Sequence, residues 1–130
     1  MMKIGELAKS TGFSVQAIRY YEKEGLLSAP TRNEGNYRIY GQAGLEELTF
    51  IKHCRNLDIA LSEIKLLMEL RQLPDNQCIE INDLIDNQLS RIRCRISELK
   101  KLKHSLVSLR AKCGNPNTIK DCGILQNLQS

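Results

Sequence analysis

Residues 81–109 read INDLIDNQLSRIRCRISELKKLKHSLVSL, and apolar side chains recur along them at alternating steps of four and three residues. One three-three-four adjustment interrupts the alternation near Leu102, while Ile85, Ile92, Leu99 and Leu106 keep a strict seven-residue repeat. This periodicity is typical of a helix that pairs along one apolar edge with a second helix. We therefore predict a long dimerisation helix in an antiparallel coiled coil.

Three cysteines flank this helix, Cys78 before it and Cys113 and Cys122 after it. A helix of about 29 residues, at about 1.5 Å per residue, holds Cys78 about 40 Å from Cys113, so one copy cannot gather all three sulfurs. Two antiparallel copies place Cys78 of one chain beside Cys113 and Cys122 of the other, twice by symmetry. The spacing thus predicts a homodimer with two composite thiolate sites.

The local contexts of these cysteines favour a soft metal ion. Cys78 precedes the long helix, where a helix N-terminus stabilises a thiolate. Cys113 and Cys122 border the turn-rich residues 114–118, which can curl to point both sulfurs inward. A disulfide between Cys113 and Cys122, with eight residues between them, is the alternative and would make the protein a thiol redox switch. We expect Cys54 and Cys94 to be buried small apolar residues.

The N-terminal residues predict a helix-turn-helix. Ile4, Leu7 and Ala8 fit the buried face of a first helix that stops at residues 10–12, and Ser14 can cap a second helix that ends at Gly25. In such a pair the second helix enters the major groove of DNA. Its solvent-facing residues are expected to be Gln16, Arg19, Tyr20 and Lys23.

Residues 32–40 predict a β-hairpin wing, because the turn-like Glu34-Gly35-Asn36 lies between residues that favour extended chain. Arg32 and Arg38 on this wing suit phosphates, since a guanidinium offers paired donors, although they could equally be solubilising residues of an exposed loop.

A third helix around residues 45–55 and a fourth, capped by Ser62 and ending near Leu73 and Pro74, would form a helical hairpin.

Composition excludes several function classes. The chain has 130 residues, 42% of them apolar, and a net charge of +4, which is enough for a modest core but does not by itself indicate nucleic-acid binding. The basic run between Arg91 and Lys103 is typical of the solvated face of a coiled coil, and His104 is expected at the surface. No nucleophile-base constellation or phosphate-cradling loop is present, so we predict no enzyme activity. Neither a signal peptide nor a membrane-length apolar run is apparent, and we expect a cytoplasmic protein.

Three segments of the head resemble the mercury-resistance regulator (MerR) family: residues 4–8, IGELA; residues 18–27, which begin IRYYE and end GLL; and residues 35–40, GNYRIY. Residues 50–58, FIKHCRNLD, and 122–126, CGILQ, resemble its lead- and cadmium-responsive branch. The resemblance covers essentially the whole chain.

The resemblance implies a mainly α fold with a winged helix-turn-helix head, a helical hairpin, a dimerisation helix and a C-terminal metal-binding loop. It also implies a homodimeric transcriptional regulator that sits on a symmetric promoter operator in double-stranded DNA and, with metal bound, distorts the duplex so that RNA polymerase can engage it. By this analogy Arg19 and Tyr20 lie in the recognition helix, Gln16 is a candidate base contact, and Tyr37 and Arg38 are wing contacts to the backbone. Cys78 of one subunit with Cys113 and Cys122 of the other would be the ligands.

The residues narrow the choice of metal ion but leave several ions possible. Three thiolates without an evident fourth ligand suit large soft ions such as Pb(II), Cd(II) or Hg(II), whereas structural Zn(II) prefers a closed tetrahedron. Preference for Pb(II), with Cd(II) next, comes from the resemblance in the middle and tail segments. Family members with similar heads that respond to organic cations or oxidants are a further alternative, which the three thiols disfavour.

These interpretations divide the chain into three parts. Residues 1–73 would form the DNA-binding domain with its connecting helix hairpin, 74–112 the dimerisation helix, and 113–130 the metal-binding loop and tail.

Overall fold

The computed structural model describes residues 1–114 and 118–130, which divide into two units, 1–81 and 82–130. The predicted domain boundaries after residues 73 and 112 stay predictions. In chain order the elements are β1 (Met2–Lys3), α1 (Ile4–Thr11), α2 (Val15–Lys23), β2 (Thr31–Arg32), β3 (Arg38–Tyr40), α3 (Gln42–Asn56), α4 (Leu61–Arg71), α5 (Ile79–Arg110), a 3-10 turn (Ile119–Asp121) and α6 (Gly123–Gln129). The predicted mainly α fold, with a helix-turn-helix head and one long helix, is confirmed.

The helix-turn-helix forms for local reasons that the sequence carries. Gly12 ends α1 at a φ of 82°, in the left-handed region that favours glycine, and its N–H donates to the Ala8 carbonyl. Ser14 then caps α2, since its hydroxyl accepts a hydrogen bond from the Ala17 N–H at 3.0 Å. Leu7 and Ile18 are fully buried, which packs the two helices into one core.

The predicted wing is present, but it belongs to a three-stranded sheet rather than to a separate hairpin. β3 pairs antiparallel with β2 on one side and with β1 on the other, so the strand order is β1-β3-β2. At the wing tip the Asn33 side-chain oxygen accepts hydrogen bonds from the N–H groups of Gly35 and Tyr37, both at 3.0 Å. This turn holds the two wing strands in register.

Helices α3 and α4 form the predicted hairpin across residues 57–60. The Arg71 guanidinium of α4 lies 5.1 Å from the centre of the Phe50 ring on α3, and Ile51 and Ile64 are fully buried. The prediction that Ser62 caps α4 is wrong: Ala60 occupies the cap position without a side-chain hydrogen bond. The helix also ends at Arg71, two residues before the predicted Leu73.

Helix α5, most of which lies in the second unit, runs without interruption through the predicted heptads. Leu84 is its only buried residue, while the apolar positions that make up the repeat are half-buried or exposed in the single chain. Residues 118–130, which were predicted to be a loop and tail, instead contain the 3-10 turn and the short helix α6. No helix among the described residues is both long enough and apolar enough to cross a membrane.

Candidate nucleic-acid interface and metal centre

A basic groove of about 680 Å³ opens between the wing, β1, α1 and the recognition helix α2. The predicted residues Arg19, Arg32, Tyr37 and Arg38 all line it. The other lining residues are Lys3, Ile4, Gly5, Glu6, Lys9 and Asn36. Five cationic side chains thus face one carboxylate, an arrangement that favours the phosphate backbone of a nucleic acid.

The wing presents its cations in fixed positions. The Arg32 guanidinium donates a hydrogen bond to the Asn36 carbonyl at 2.9 Å, which ties the side chain to the wing turn. Tyr37 is 61% exposed at the tip, and the Lys3 ammonium lies 5.0 Å from its ring centre. A flat exposed ring beside a cation suits contact with a sugar-phosphate chain.

The recognition helix carries its three predicted contact residues on one exposed face, but only Arg19 lines the groove. Gln16 is exposed one turn before Tyr20. Tyr20 is 44% exposed, lies edge-on to Tyr21 with ring centres 6.1 Å apart, and lines a separate hollow with Leu61, Ser62 and Lys65. The described geometry therefore groups Arg19 with the wing and leaves Gln16 and Tyr20 beside the groove.

A carboxylate joins the wing to the recognition helix. The Tyr40 hydroxyl donates to Glu22 Oε2 at 2.8 Å, and Arg38 Nε lies 3.7 Å from Glu22 Oε1. Burial, together with the Glu22 carboxylate, raises the pKa of Tyr40 to about 12. Glu22 of α2 thereby holds β3, and with it Arg38, at a set angle to the recognition helix.

Sequence reasoning missed two cations of the groove, Lys3 and Lys9. Lys3 joins it because β1 pairs with β3, with Lys3 opposite Ile39. Lys9 lines the groove from α1, a helix for which the sequence predicted only a buried face. The two residues of β1 are too few to show a strand pattern in the sequence. Lys9 could have been found, because it lies on the face of α1 opposite the apolar Leu7.

The second candidate site lies at the C-terminal end of α5, where the structure brings Cys113 and Cys122 together. Cys122 occupies the cap position of α6. Hydrogen bonds from the N–H of Leu125, then from Ile124 and the Cys113 thiol, lower the pKa of the Cys122 thiol, against a smaller opposing effect of burial. Both side chains are half-buried. Two adjacent thiols, one biased towards thiolate, can supply two ligands to a soft cation.

Cys78 belongs to the first unit and is exposed directly before the first residue of α5. Within residues 1–114 and 118–130 of one chain, no group of three or more His, Cys, Asp or Glu side chains could hold a metal ion. The structure therefore brings two of the three predicted ligands together as a pair. The turn residues 115–117, expected to curl the loop, lie outside the described residues.

The two other cysteines differ from each other. Cys54 is buried in α3, as predicted, and burial raises the pKa of its thiol. Cys94 is exposed in the single chain, so the prediction that it is buried is wrong there; its thiol donates to the Glu98 carboxylate at 3.6 Å. The reason is that, among the described residues of one chain, none covers this stretch of α5. His104 is exposed, as predicted.

Comparison with known proteins identifies two matching family models. One, described as MerR HTH family regulatory protein, matches residues 2–70, and another, described as MerR, DNA binding, matches residues 45–109. Together they cover the basic groove and most of α5. The family resemblance inferred from the head motifs is confirmed.

Three individual proteins are similar over most of their length. An HTH-type transcriptional regulator ZntR homolog of Haemophilus influenzae is 48% identical over 111 residues, 85% of this chain and 82% of that protein. The structure of the transcription regulator PbrR691 from Ralstonia metallidurans CH34 in complex with lead(II) is 44% identical, with a TM-score of 0.87 over 98% of this chain and 99% of that one. The structure of MerR from Bacillus megaterium MB1 in complex with mercury(II) is 30% identical, with a TM-score of 0.73 over 99% and 100% of the two chains.

Proposed function

The chain belongs to the MerR HTH family of regulatory proteins, so it is a transcriptional regulator and not an enzyme, and we propose that it is a homodimer switched by a soft metal ion. We infer Pb(II) as the first candidate inducer and Cd(II) as the next. The observation that carries the proposal is the pairing of Cys113 with Cys122 at one end of α5, with Cys78 at the other end.

DNA binding follows from the charge of the groove. Lys3, Lys9, Arg19, Arg32 and Arg38 converge where α2 meets the wing. We propose that α2 enters the major groove of a promoter operator, with Gln16 and Tyr20 towards the duplex and the wing cations on phosphates. A two-fold operator would match the two heads of a dimer.

The dimer follows from the unpaired apolar edge of α5. Leu99, Leu102, Leu106 and Val107 are each more than half exposed, and with Lys103 and Arg110 they line an apolar hollow of about 480 Å³. So many exposed leucines on one edge are typical of an interface rather than of a solvated surface. A second α5, running antiparallel, would cover them.

The length of α5 supports the proposed composite metal site. Its 32 residues span about 48 Å at 1.5 Å per residue, so Cys78 before it cannot reach its own chain's thiol pair across the helix. In an antiparallel dimer the Cys78 of one protomer would meet Cys113 and Cys122 of its partner. Three thiolates suit Pb(II) and Hg(II), the ions bound by two of the similar structures, as well as Cd(II), and they leave Zn(II) short of a fourth ligand.

Switching would then follow from a site shared between protomers. Metal binding draws the residues around Cys113 and Cys122 of one chain onto the start of its partner's α5, next along the chain from the α3–α4 hairpin. A coupling of about 1–3 kcal/mol is enough to shift the balance between two DNA-bound shapes. The metal-bound shape would distort the operator so that RNA polymerase can initiate.

The test titrates reduced wild-type protein and Cys78→Ser with each ion while the ultraviolet thiolate-to-metal band is recorded. Wild type is expected to show a three-sulfur band with Pb(II), and Cys78→Ser to lose it. A footprint of operator DNA with and without Pb(II) should differ at the centre of the site. An unchanged band in Cys78→Ser removes Cys78 from the site, and an unchanged footprint contradicts the switching mechanism.

A second candidate function is a thiol redox switch, which the contact between Cys113 and Cys122 favours. A nucleophilic Cys122 thiolate beside a second thiol could form a disulfide under peroxide. This function gives Cys78 no part. Mass spectrometry after peroxide treatment separates the two functions. A redox sensor should reversibly lose two hydrogen atoms without added metal, as the two thiols join and peroxide takes up two electrons and two protons to become water.

A further inference from the structure

Gly123, the first residue of α6, makes an unusually close approach to the end of α5. A Cβ atom built at Gly123 would overlap the Lys112 carbonyl oxygen and would lie 3.0 Å from the carbonyl carbon and 3.3 Å from the Lys112 Cβ. The obstacle is backbone, which cannot swing aside as a flexible side chain would. Only a glycine fits at this position with the chain as it stands.

This contact adjoins both thiols of the C-terminal pair. Lys112 directly precedes Cys113, and Gly123 directly follows Cys122. The distance between the two backbones at Lys112 and Gly123 therefore sets how close the two sulfurs can come.

Local hydrogen bonds hold the backbone on each side of the contact. On the α5 side, the N–H groups of Lys112 and Cys113 donate to the carbonyls of Leu109 and Arg110, at 3.0 and 3.3 Å. The Arg110 guanidinium also donates to the Cys113 carbonyl. These bonds hold Lys112 and Cys113 against the C-terminal end of α5.

On the α6 side, Cys122 is tied to the elements before and after it. Its N–H donates to the Ile119 carbonyl, and its carbonyl accepts from the Gln126 N–H, both at 3.1 Å. A side chain at position 123 would have to push α6 and its cap residue away from α5 as one piece.

We propose that Gly123 is a positioning residue for the Cys113–Cys122 pair, because its missing side chain lets α6 dock on the end of α5 and fixes the separation of the two thiols. The inference rests on the proposed metal function, which it deepens. Gly123 has no contact with metal and acts only through backbone placement.

The first test measures thiol proximity without metal. Full-length wild type, Gly123→Ala and Gly114→Ala are equilibrated with reduced and oxidised glutathione, which takes up the two electrons, and the Cys113–Cys122 disulfide is quantified by mass spectrometry. Gly123→Ala is expected to lower the effective concentration of one thiol at the other, and therefore the fraction of protein that carries the disulfide. Gly114→Ala should match wild type, because a Cβ at Gly114 meets no atom of the described residues within 4 Å.

Helix propensity alone would change disulfide formation in the opposite direction. Alanine favours helix more than glycine, so if only the stability of α6 mattered, Gly123→Ala would strengthen the pair. Ile124→Gly weakens α6 without adding an atom beside Lys112. If Gly123→Ala equals or exceeds wild type, or if Ile124→Gly lowers the effective concentration as much as Gly123→Ala does, the inference is overturned.

The second test titrates the same proteins with Pb(II) under reducing conditions. Gly123→Ala should bind about 10–100-fold more weakly, in the range seen when groups that orient a ligand are changed, while Gly114→Ala keeps wild-type affinity. The two tests separate the two claims. A wild type that binds no Pb(II) while Gly123→Ala alone loses thiol proximity would contradict the proposed function and support the role of Gly123.

Discussion

At the scale of single residues, Tyr40 and Glu22 show how one buried hydrogen bond organises the DNA-binding head. Tyr40 is nearly fully buried, and its hydroxyl donates to the Glu22 carboxylate at 2.8 Å, linking β3 to α2. A hydrogen bond to a charged group contributes about 1.5–3 kcal/mol, and an unpaired carboxylate in the same place would cost stability. The wing therefore depends on the neutral form of Tyr40, which donates this hydrogen bond.

This hydrogen bond predicts a defined alkaline pH dependence. The folded protein raises the pKa of Tyr40 from 10.0 to about 12, so the fold favours the protonated phenol. The resulting stability is fully present below pH 10.0 and is lost as the pH rises towards about 12, because the unfolded chain releases its proton first. Denaturant unfolding across this range should show the loss in wild type and not in Tyr40→Phe.

Tyr40→Phe should also unfold more easily at neutral pH, by about 1.5–3 kcal/mol, because it lacks the hydrogen bond. Tyr37→Phe is the matched control, since Tyr37 is exposed on the same wing. A Tyr40→Phe variant with the same alkaline slope as wild type would show that this phenol is not the titrating group.

At the scale of elements, the proposed interface divides the recognition of DNA between α2 and the wing. Gln16 lies on the exposed face of α2 outside the basic groove, whereas Arg32 lines the groove and is tied to the wing turn. Base contacts discriminate between sequences, and phosphate contacts add affinity to every sequence.

Two substitutions should separate these roles. Gln16→Ala should cost about 1–3 kcal/mol on the operator and relax discrimination at one base pair, with the salt dependence unchanged. Arg32→Gln should weaken operator and unrelated DNA alike and reduce the slope of log K against log salt by about 1. Fluorescence anisotropy at several salt concentrations measures both quantities.

Lys112→Gln is the control for charge alone, since it removes one positive charge from a residue outside the groove. If it changes the salt slope as much as Arg32→Gln does, the groove has no special part in DNA binding. Equal loss of discrimination in Gln16→Ala and Arg32→Gln would contradict the division of roles.

The elements also show which features can be predicted from the sequence. α1, α2 and the wing follow from short-range signals, namely the glycine stop at Gly12, the Ser14 cap and the turn at residues 34–36. β1 could not be predicted, because its two residues become a strand only by pairing with residues 39 and 40. The same holds for the approach of Gly123 to Lys112, which depends on tertiary packing that no local pattern encodes.

At the scale of the whole molecule, the exposed apolar edge of α5 requires a partner. Leu99 is 60% exposed on that edge, and Cys94 is exposed on the same helix. The heptads predicted an interface, but exposure in one chain cannot show which residues a second chain covers. The surroundings of Cys94 therefore depend on assembly.

Leu99→Glu should dissociate the proposed dimer, because it places a charge on the apolar edge. Sedimentation equilibrium should give a monomer for this variant and a dimer for wild type. Ser97→Glu adds the same charge at an exposed position of α5 away from the heptad edge and should stay dimeric. Dimerisation that survives Leu99→Glu would move the interface elsewhere.

The central claim is that three thiols from two chains hold one metal ion, and mixed dimers test it most directly. A Cys78→Ser chain is co-expressed with a Cys113→Ser, Cys122→Ser chain under separate tags, and the mixed dimer is purified and titrated with Pb(II). We predict one Pb(II) with a three-sulfur band per mixed dimer, since each chain supplies what the other lacks, and no such band in either homodimer. A mixed dimer without the band, or a homodimer of either variant that keeps it, would contradict the claim.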